Sequence, residues 1–150
     1  SNKADAYDLD FSNGLIAGNI FEKNGNDGID CGTAHPIISD NRIYRCGDKG
    51  VSIGERSHPV VENNLIAHCN VGIAVKDQSC PEIKENEFQF NEIAVRAYQK
   101  KKVFGGANVT ILESKFQKNE RLSEFDELSS VSLLNCVIDE ELENLGGASF

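Results

Sequence analysis

Acidic residues recur at a fixed interval near the start of the chain. The positions of Asp8 and Asp30 differ by 22, and those of Asp5 and Asp27 differ by the same amount. Hard carboxylate oxygens bind Ca²⁺, and the expected ligands are Asp8, Asp10 and Asp30. Acid and base catalysis of glycoside chemistry is a second interpretation, since it needs paired carboxylates. A solvated acidic edge that binds nothing is the third.

Basic residues follow the acids in later repeats. Removal of a carbon-bound proton from a sugar acid needs a base, together with cations that neutralise the carboxylate. Lys49 is the expected base, and Lys76 and Arg96 are the expected neutralising groups. Ordinary surface charge is the alternative interpretation. The candidate catalytic residues are therefore Asp27, Asp30, Lys49 and Lys76.

Substrate binding is expected beside these groups. The candidate residues are Asp8, Ser52, Arg96 and Tyr98. Tyr98 and the nearby Phe104 offer aromatic faces on which a sugar could stack. The alternative is that Phe104 packs its own loop onto the rest of the protein.

An internal repeat has to position these groups. Gly28, Gly50 and Gly72 are each 22 apart, and each precedes a segment of alternating apolar residues. Such alternation is typical of β-strands with one buried face. A second column, at intervals of 22, 23, 22, 28 and 22, contains Asn19, Asn41, Asn64, Asn86, Ser114 and Cys136. The pattern lacks the Leu-x-x-Leu-x-Leu of leucine-rich repeats and the 3.6-residue period of helical repeats.

The repeat predicts an all-β fold, a parallel β-helix of about six coils in one domain over residues 1–150. The expected coils are residues 4–26, 27–48, 49–70, 71–92, 93–120 and 121–142. Asn is expected to recur because it tolerates left-handed turn conformations and because stacked Asn side chains form ladders. The 28-residue interval predicts an insertion within residues 98–108, and residues 140–145 are expected to form a short capping helix.

The composition limits the classes of binding partner that are expected. The net charge is −9, which argues against nucleic acid. No apolar run is long enough for membrane insertion. The five cysteines form no CxxC pair, so mostly free, buried thiols are expected. Because the chain contains no Met, we expect it to be part of a larger protein whose preceding coils lie N-terminal to residue 1.

Three segments on successive coils resemble the motifs of polygalacturonase-like glycosidases. These segments are Asn26-Asp27-Gly28, the run from Asp48 through Gly54, and Ala74-Val75-Lys76. Lys49 and Ala74 stand where that family has His and Arg. The wider pattern is similar to pectate-lyase-like, carbohydrate-binding and sugar-hydrolase β-helix domains, and Asn26–Asp30 is also similar to segments of alginate epimerases. The resemblance implies a right-handed parallel β-helix, carbohydrate as the partner, and a secreted bacterial origin.

Two functions follow as expectations. The first is a polysaccharide-binding or polysaccharide-modifying domain of a secreted or surface protein, with an acidic glycan favoured and with either no cofactor or Ca²⁺. If it is an enzyme, it would be a lyase, an epimerase or a glycoside hydrolase. The second is a structural or adhesion module without chemistry, because one fold hosts many functions.

Overall fold

Short strands separated by corners make up the whole described chain. The computed structural model describes residues 4–139, and within them every regular element is a strand. In chain order the strands are β1 (Tyr7–Asp10), β2 (Leu15–Ala17), β3 (Ile20–Glu22), β4 (Ile29–Gly32), β5 (Ile37–Ser39), β6 (Arg42–Tyr44), β7 (Lys49–Gly54), β8 (Val60–Glu62), β9 (Leu65–Ala67), β10 (Val71–Lys76), β11 (Glu82–Lys84), β12 (Glu87–Gln89), β13 (Ile93–Tyr98), β14 (Asn108–Leu112), β15 (Lys115–Gln117), β16 (Arg121–Phe125), β17 (Ser130–Leu134) and β18 (Val137–Ile138).

Every third strand pairs with the next in parallel, which produces three six-stranded sheets. Sheet 1 has the order β1-β4-β7-β10-β13-β16, sheet 2 contains β2 and its equivalents, and sheet 3 contains β3 and its equivalents. Pairing is in register, so residues one coil apart stack, as Phe21 does on Ile43 and Ile43 on Ile66. The predicted parallel β-helix of about six coils is confirmed.

The interior consists of stacked apolar columns. Sheet 1 contributes Ile29, Val51, Ile73 and Val95, one above the other and all fully buried. In sheet 3 the rings of Phe88 and Phe116 stack with centroids 4.8 Å apart. Each such side chain contributes roughly 1.5–3 kcal/mol through burial, so the continuous core stabilises neighbouring coils together.

An asparagine ladder lines the corner between sheets 2 and 3. The backbone N–H and Nδ2 of Asn41 both donate to Oδ1 of Asn64, at 3.0 Å each. Asn64 donates to Oδ1 of Asn86 in the same way. The ladder therefore satisfies buried polar groups that would otherwise be costly in the interior.

The left-handed positions lie one residue earlier than expected. Positive φ values occur at Asp40, Asn63 and Glu85, each directly before a ladder asparagine, rather than at the ladder residues themselves. The expectation that the ladder Asn adopts the left-handed conformation was therefore wrong. Its side chain has to point inward to hydrogen-bond along the axis, and the preceding residue makes the turn.

The insertion is a loop of residues 99–107 between β13 and β14, where the 28-residue interval predicted it. Asp77 Oδ1 accepts hydrogen bonds from the backbone N–H groups of Lys100 and Lys101 at 2.8 and 2.9 Å. Lys101 Nζ also donates to Glu55 at 2.7 Å. These contacts fix the loop beside the end of the sheet 1 strands. The expected capping helix of residues 140–145 lies outside the described residues.

Candidate functional site

The outer face of sheet 1 carries all the candidate site residues. Register places one column along the middle of this face, through strands β1, β4, β7, β10, β13 and β16. Its members are Asp8, Asp30, Ser52, Ala74, Arg96 and Glu124. The predicted stacking of Asp8 on Asp30 is therefore present, and the column changes from acidic to basic over five coils.

Asp27 lies where the chain enters the second strand of sheet 1. Only 4% of its surface is exposed, and its Oδ1 accepts the backbone N–H of Lys49 at 3.1 Å. One coil earlier, Asp5 Oδ1 accepts the backbone N–H of Asp27 at 2.9 Å. Burial raises the pKa of Asp27 to about 6, although the Lys49 charge opposes the shift. Asp27 can therefore change protonation close to neutral pH.

Lys49 stacks above Asp27 and is held as a cation. Its Nζ donates to Asp48 Oδ2 at 2.5 Å and lies 3.9 Å from Asp27 Oδ1. Burial opposes the charged form, but the hydrogen bond to Asp48 and the charge of Asp27 outweigh it and raise the pKa of Lys49. A raised pKa makes Lys49 a poor base, which differs from the role expected from the sequence.

Lys76 lies at the other side of the face, folded over a glycine. Its Cε is 3.2 Å from the position that a Cβ on Gly54 would occupy, so any larger residue there would compete for the space. Its Nζ donates to the buried Ser52 Oγ at 2.7 Å, and only 6% of the residue is exposed. Burial lowers the pKa of Lys76, while Asp30 opposes the shift. Of these two lysines, Lys76 is therefore the better base.

Tyr98 and Arg96 lie on the upper part of the face. Tyr98 packs against Val71, Ala74 and Ile93, which are buried on this outer face. The Arg96 guanidinium lies 4.6 Å from the Tyr98 ring centroid, and its Nε is 3.2 Å from Glu124. Both candidate binding residues thus already have partners within the protein. Phe104, in the insertion, lies under the Arg56 guanidinium at 5.2 Å.

Three carboxylates come together at the lower end, though not the three expected. Oxygen atoms of Asp5, Asp27 and Asp30 lie within 4.8 Å of one another. Of the expected calcium ligands Asp8, Asp10 and Asp30, only Asp30 belongs to this group. Asp10 instead folds over Gly32, with Oδ1 2.6 Å from the position of an added Cβ. Partial burial and the neighbouring charges of Asp10 and Asp30 raise the pKa of Asp8.

Sequence reasoning missed Asp48 and Gly54. Asp48 stacks between Asn26 and Asn70, which are uncharged, so the repeat gave no reason to pair it with Lys49. Gly54 did leave a signal, because one repeat interval separates it from Gly32 and the two stack on neighbouring strands of sheet 1. A glycine column on an outer face indicates that longer side chains from neighbouring coils fold over it.

Comparison with known protein families gave one match. The model of the family described as right handed beta helix region matches residues 1–138. Comparisons with curated proteins and with solved structures gave no match. The described residues contain no helix that could cross a membrane. With three parallel sheets in register and a match over nearly its whole length, the chain belongs to the right-handed β-helix family.

Proposed function

We propose that the chain is a polysaccharide-binding or polysaccharide-modifying domain of a secreted or surface protein, with an acidic glycan as its ligand. The glycan would lie along the outer face of sheet 1, from Asp8 to Arg96. One observation carries the proposal: burial raises the pKa of Asp27 and lowers the pKa of Lys76 on the same face. Opposite shifts of an acid and a base are typical of sites that transfer protons near neutral pH.

The chemistry assigns a role to each group. Lys76 is the base that would remove the proton beside a sugar carboxylate, with Ser52 Oγ orienting its amine. Lys49, Arg96 and the protonated form of Lys76 supply the positive charge that attracts the carboxylate, and its neutralisation lowers the barrier to proton removal by the unprotonated Lys76. Asp27 supplies a second group that titrates close to neutral pH. Elimination and epimerisation both begin with this proton removal. A domain that only binds the glycan would use the same cations and would not remove the proton.

The test compares glycan binding and turnover between matched variants. Soluble acidic polysaccharides (polygalacturonate and alginate) and a neutral glucan are titrated into the full chain, and products are followed by ultraviolet absorbance and NMR. Lys76→Ala is expected to weaken acidic-glycan binding at least tenfold and to abolish any turnover. Lys84→Ala removes the same charge from sheet 2 and should change neither. No binding to any acidic polysaccharide would refute the proposal.

A structural module is the second candidate, and the ion pairs favour it. Lys49 is paired with Asp48, and Arg96 is paired with Glu124. A face whose charges are satisfied internally needs no ligand for its stability. Under this alternative, Asp27→Ala, Asp30→Ala and Lys76→Ala leave the parent protein's behaviour unchanged.

Calcium remains a proposed accessory to acidic-glycan binding. Asp5, Asp27 and Asp30 provide hard oxygens, and the cation would bridge them to a sugar carboxylate. Glycan titrations with about 1 mM CaCl₂, in the range of weak extracellular calcium sites, and with excess EDTA would test this. Equal affinities under both conditions would exclude a role for calcium.

A further inference from the structure

Two cysteines occupy the same position in successive coils. Cys46 follows β6 and Cys69 follows β9, and these strands pair in register through Tyr44 and Ala67. The column that contains them reads Asn24, Cys46, Cys69, Asn91 and Asn119. Among the described residues, this is the only place where two cysteines lie at neighbouring levels of one column.

Both thiols point into the interior at the corner leading to sheet 1. Cys46 is 4% exposed and Cys69 is 3% exposed. Cys46 Sγ lies 3.2 Å from the position of an added Cβ on Gly28, and Cys69 Sγ lies 3.5 Å from that on Gly50. The two glycines therefore make room for the two sulfur atoms, which adopt equivalent positions.

We propose that Cys46 and Cys69 are an oxidation site that forms a disulfide between the second and third coils. Residues paired across neighbouring parallel strands have Cα atoms about 4.8 Å apart, which is inside the range that a disulfide spans. The site is independent of the proposed glycan function.

The environment favours reaction at Cys46. Contact with the Cys69 thiol, and then with Asn24 and the Gly28 backbone, lowers the pKa of Cys46 against the effect of burial. The Cys69 Sγ itself donates to Ala67 O at 3.5 Å. The contact with Cys46 raises the pKa of Cys69, which keeps that thiol protonated. A thiolate beside a protonated thiol is the arrangement that attacks a disulfide and then resolves the product.

The reaction needs a low-molecular-weight disulfide as oxidant. The Cys46 thiolate attacks one sulfur of this oxidant, its S–S bond breaks, and one thiolate leaves. Cys69 then loses its proton to solvent and attacks the Cys46 sulfur of the mixed disulfide, which releases the second thiolate. The protein loses two electrons and two protons, and the oxidant is reduced to two thiols. Because both sulfurs are buried, the reaction proceeds through local opening of the corner or during folding.

The disulfide would restrain the segments that lead into the strands of the candidate site. Cys46 precedes Lys49 by three residues, and Cys69 precedes β10, which carries Lys76. A disulfide here holds the starts of β7 and β10 at fixed separation. It also closes a loop that includes Ser52, and constraining the unfolded chain in this way raises the unfolding temperature.

Peptide mapping tests the proposal directly. The full chain is incubated with oxidised and reduced glutathione, both in the native state and during refolding, and free thiols are then alkylated in denaturant. Trypsin places Cys46 in residues 46–49, Cys69 in residues 57–76, Cys31 in residues 24–42 and Cys80 in residues 77–84. The expected result is that peptides 46–49 and 57–76 are recovered joined, with a mass about 2 Da below their sum.

Matched variants complete the test. The oxidised protein should melt on the order of 5–10 °C above the reduced protein, and Cys69→Ser should abolish the difference. Cys46→Asn with Cys69→Asn continues the flanking asparagine column and keeps a folded reference without thiols at these positions. Cys80→Ser, at an exposed thiol, should leave the shift unchanged. Recovery of peptides 46–49 and 57–76 as separately alkylated species after both treatments would overturn the proposal.

Discussion

The outer faces of sheet 1 and of sheets 2 and 3 carry the same kinds of charge in different environments. Lys76 on sheet 1 is buried, and burial lowers its pKa. Lys84 on sheet 2 is partly exposed, lies 3.2 Å from Glu82 and 3.6 Å from Glu62, and has a raised pKa because of the hydrogen bond to Glu82. Solvent screens the ion pairs of Lys84, so they contribute little to stability.

Strand length accounts for the difference. The central strands of sheet 1, β7, β10 and β13, have six residues each, whereas β8, β9, β11 and β12 have three. A longer strand has room for several outward residues, and the long side chains of neighbouring coils then cover one another. Sheet 1 can therefore bury charges on an outer face, while the corner of sheets 2 and 3 holds the coils together.

The largest loss of stability should come from the corner of sheets 2 and 3. Asn64→Ala removes a buried amide that donates to Ile38 O and Asn86 Oδ1 and accepts from Asn41. We expect the free energy of unfolding to fall by about 3 kcal/mol, because several buried groups lose their partners. Urea denaturation measures this change. The exposed Asn70 of the same coil is the control, and Asn70→Ala should change stability by less than about 0.5 kcal/mol. Equal effects of the two substitutions would contradict a structural ladder.

Asp27, where the chain enters sheet 1, should make the stability of the protein depend on pH. Its folded pKa is about 6, above the ordinary value of 3.8, so the folded protein binds a proton more tightly than the unfolded chain. The resulting stability is fully present below pH 3.8 and is lost as the pH rises through 6. Asp27→Asn should therefore be about 3 kcal/mol more stable than the wild type at pH 7, with the difference falling to about 0.5 kcal/mol near pH 4. Denaturant titrations at pH 4, 5, 6 and 7 measure this, and a constant difference across the series would argue against a raised pKa.

Lys76 should contribute to function more than to stability. Lys76→Met keeps the shape of the side chain and removes a charge that is costly to bury, so we expect stability to stay within about 1 kcal/mol of the wild type. Acidic-glycan binding should nevertheless weaken at least tenfold. Calorimetric titration and thermal unfolding measure the two quantities on the same sample. Lys84→Met should leave both unchanged, and a loss above about 2 kcal/mol in Lys76→Met would indicate a structural lysine instead.

The smallest effect on stability should come from Gly54. Its added Cβ would lie 3.2 Å from Lys76 Cε, which is flexible enough to move aside. Gly54→Ala should therefore cost less than about 1 kcal/mol while displacing the Lys76 amine from Ser52. Displacement into solvent should restore an ordinary amine pKa, which ¹⁵N NMR of the lysine side chains would detect. An unshifted Lys76 resonance in Gly54→Ala would show that the glycine does not set its position.

The regular repeat interval was sufficient to predict which residues stack. It gave the Asp8–Asp30 pair, the asparagine ladder and the position of the insertion. It could not predict where long side chains end, because period fixes the Cα position and not the rotamer. The folding of Lys76 over Gly54, the pairing of Lys49 with Asp48, and the covering of Val71 by Tyr98 are all of this kind. The left-handed corner was misplaced by one residue for a related reason, since the inward direction of Asn64 excluded it from making the turn.

The central claim is that an acidic glycan binds on the outer face of sheet 1. Side-chain ¹⁵N NMR of the lysines tests it most directly: spectra of the full chain are recorded with and without a uronate oligosaccharide, and the Nζ resonances of individual lysines are compared. We expect glycan-dependent shifts at Lys49 and Lys76, with Lys84 and Lys115 on the other sheets unchanged. Shifts confined to Lys84 or Lys115, or unchanged resonances of all four lysines, would contradict it.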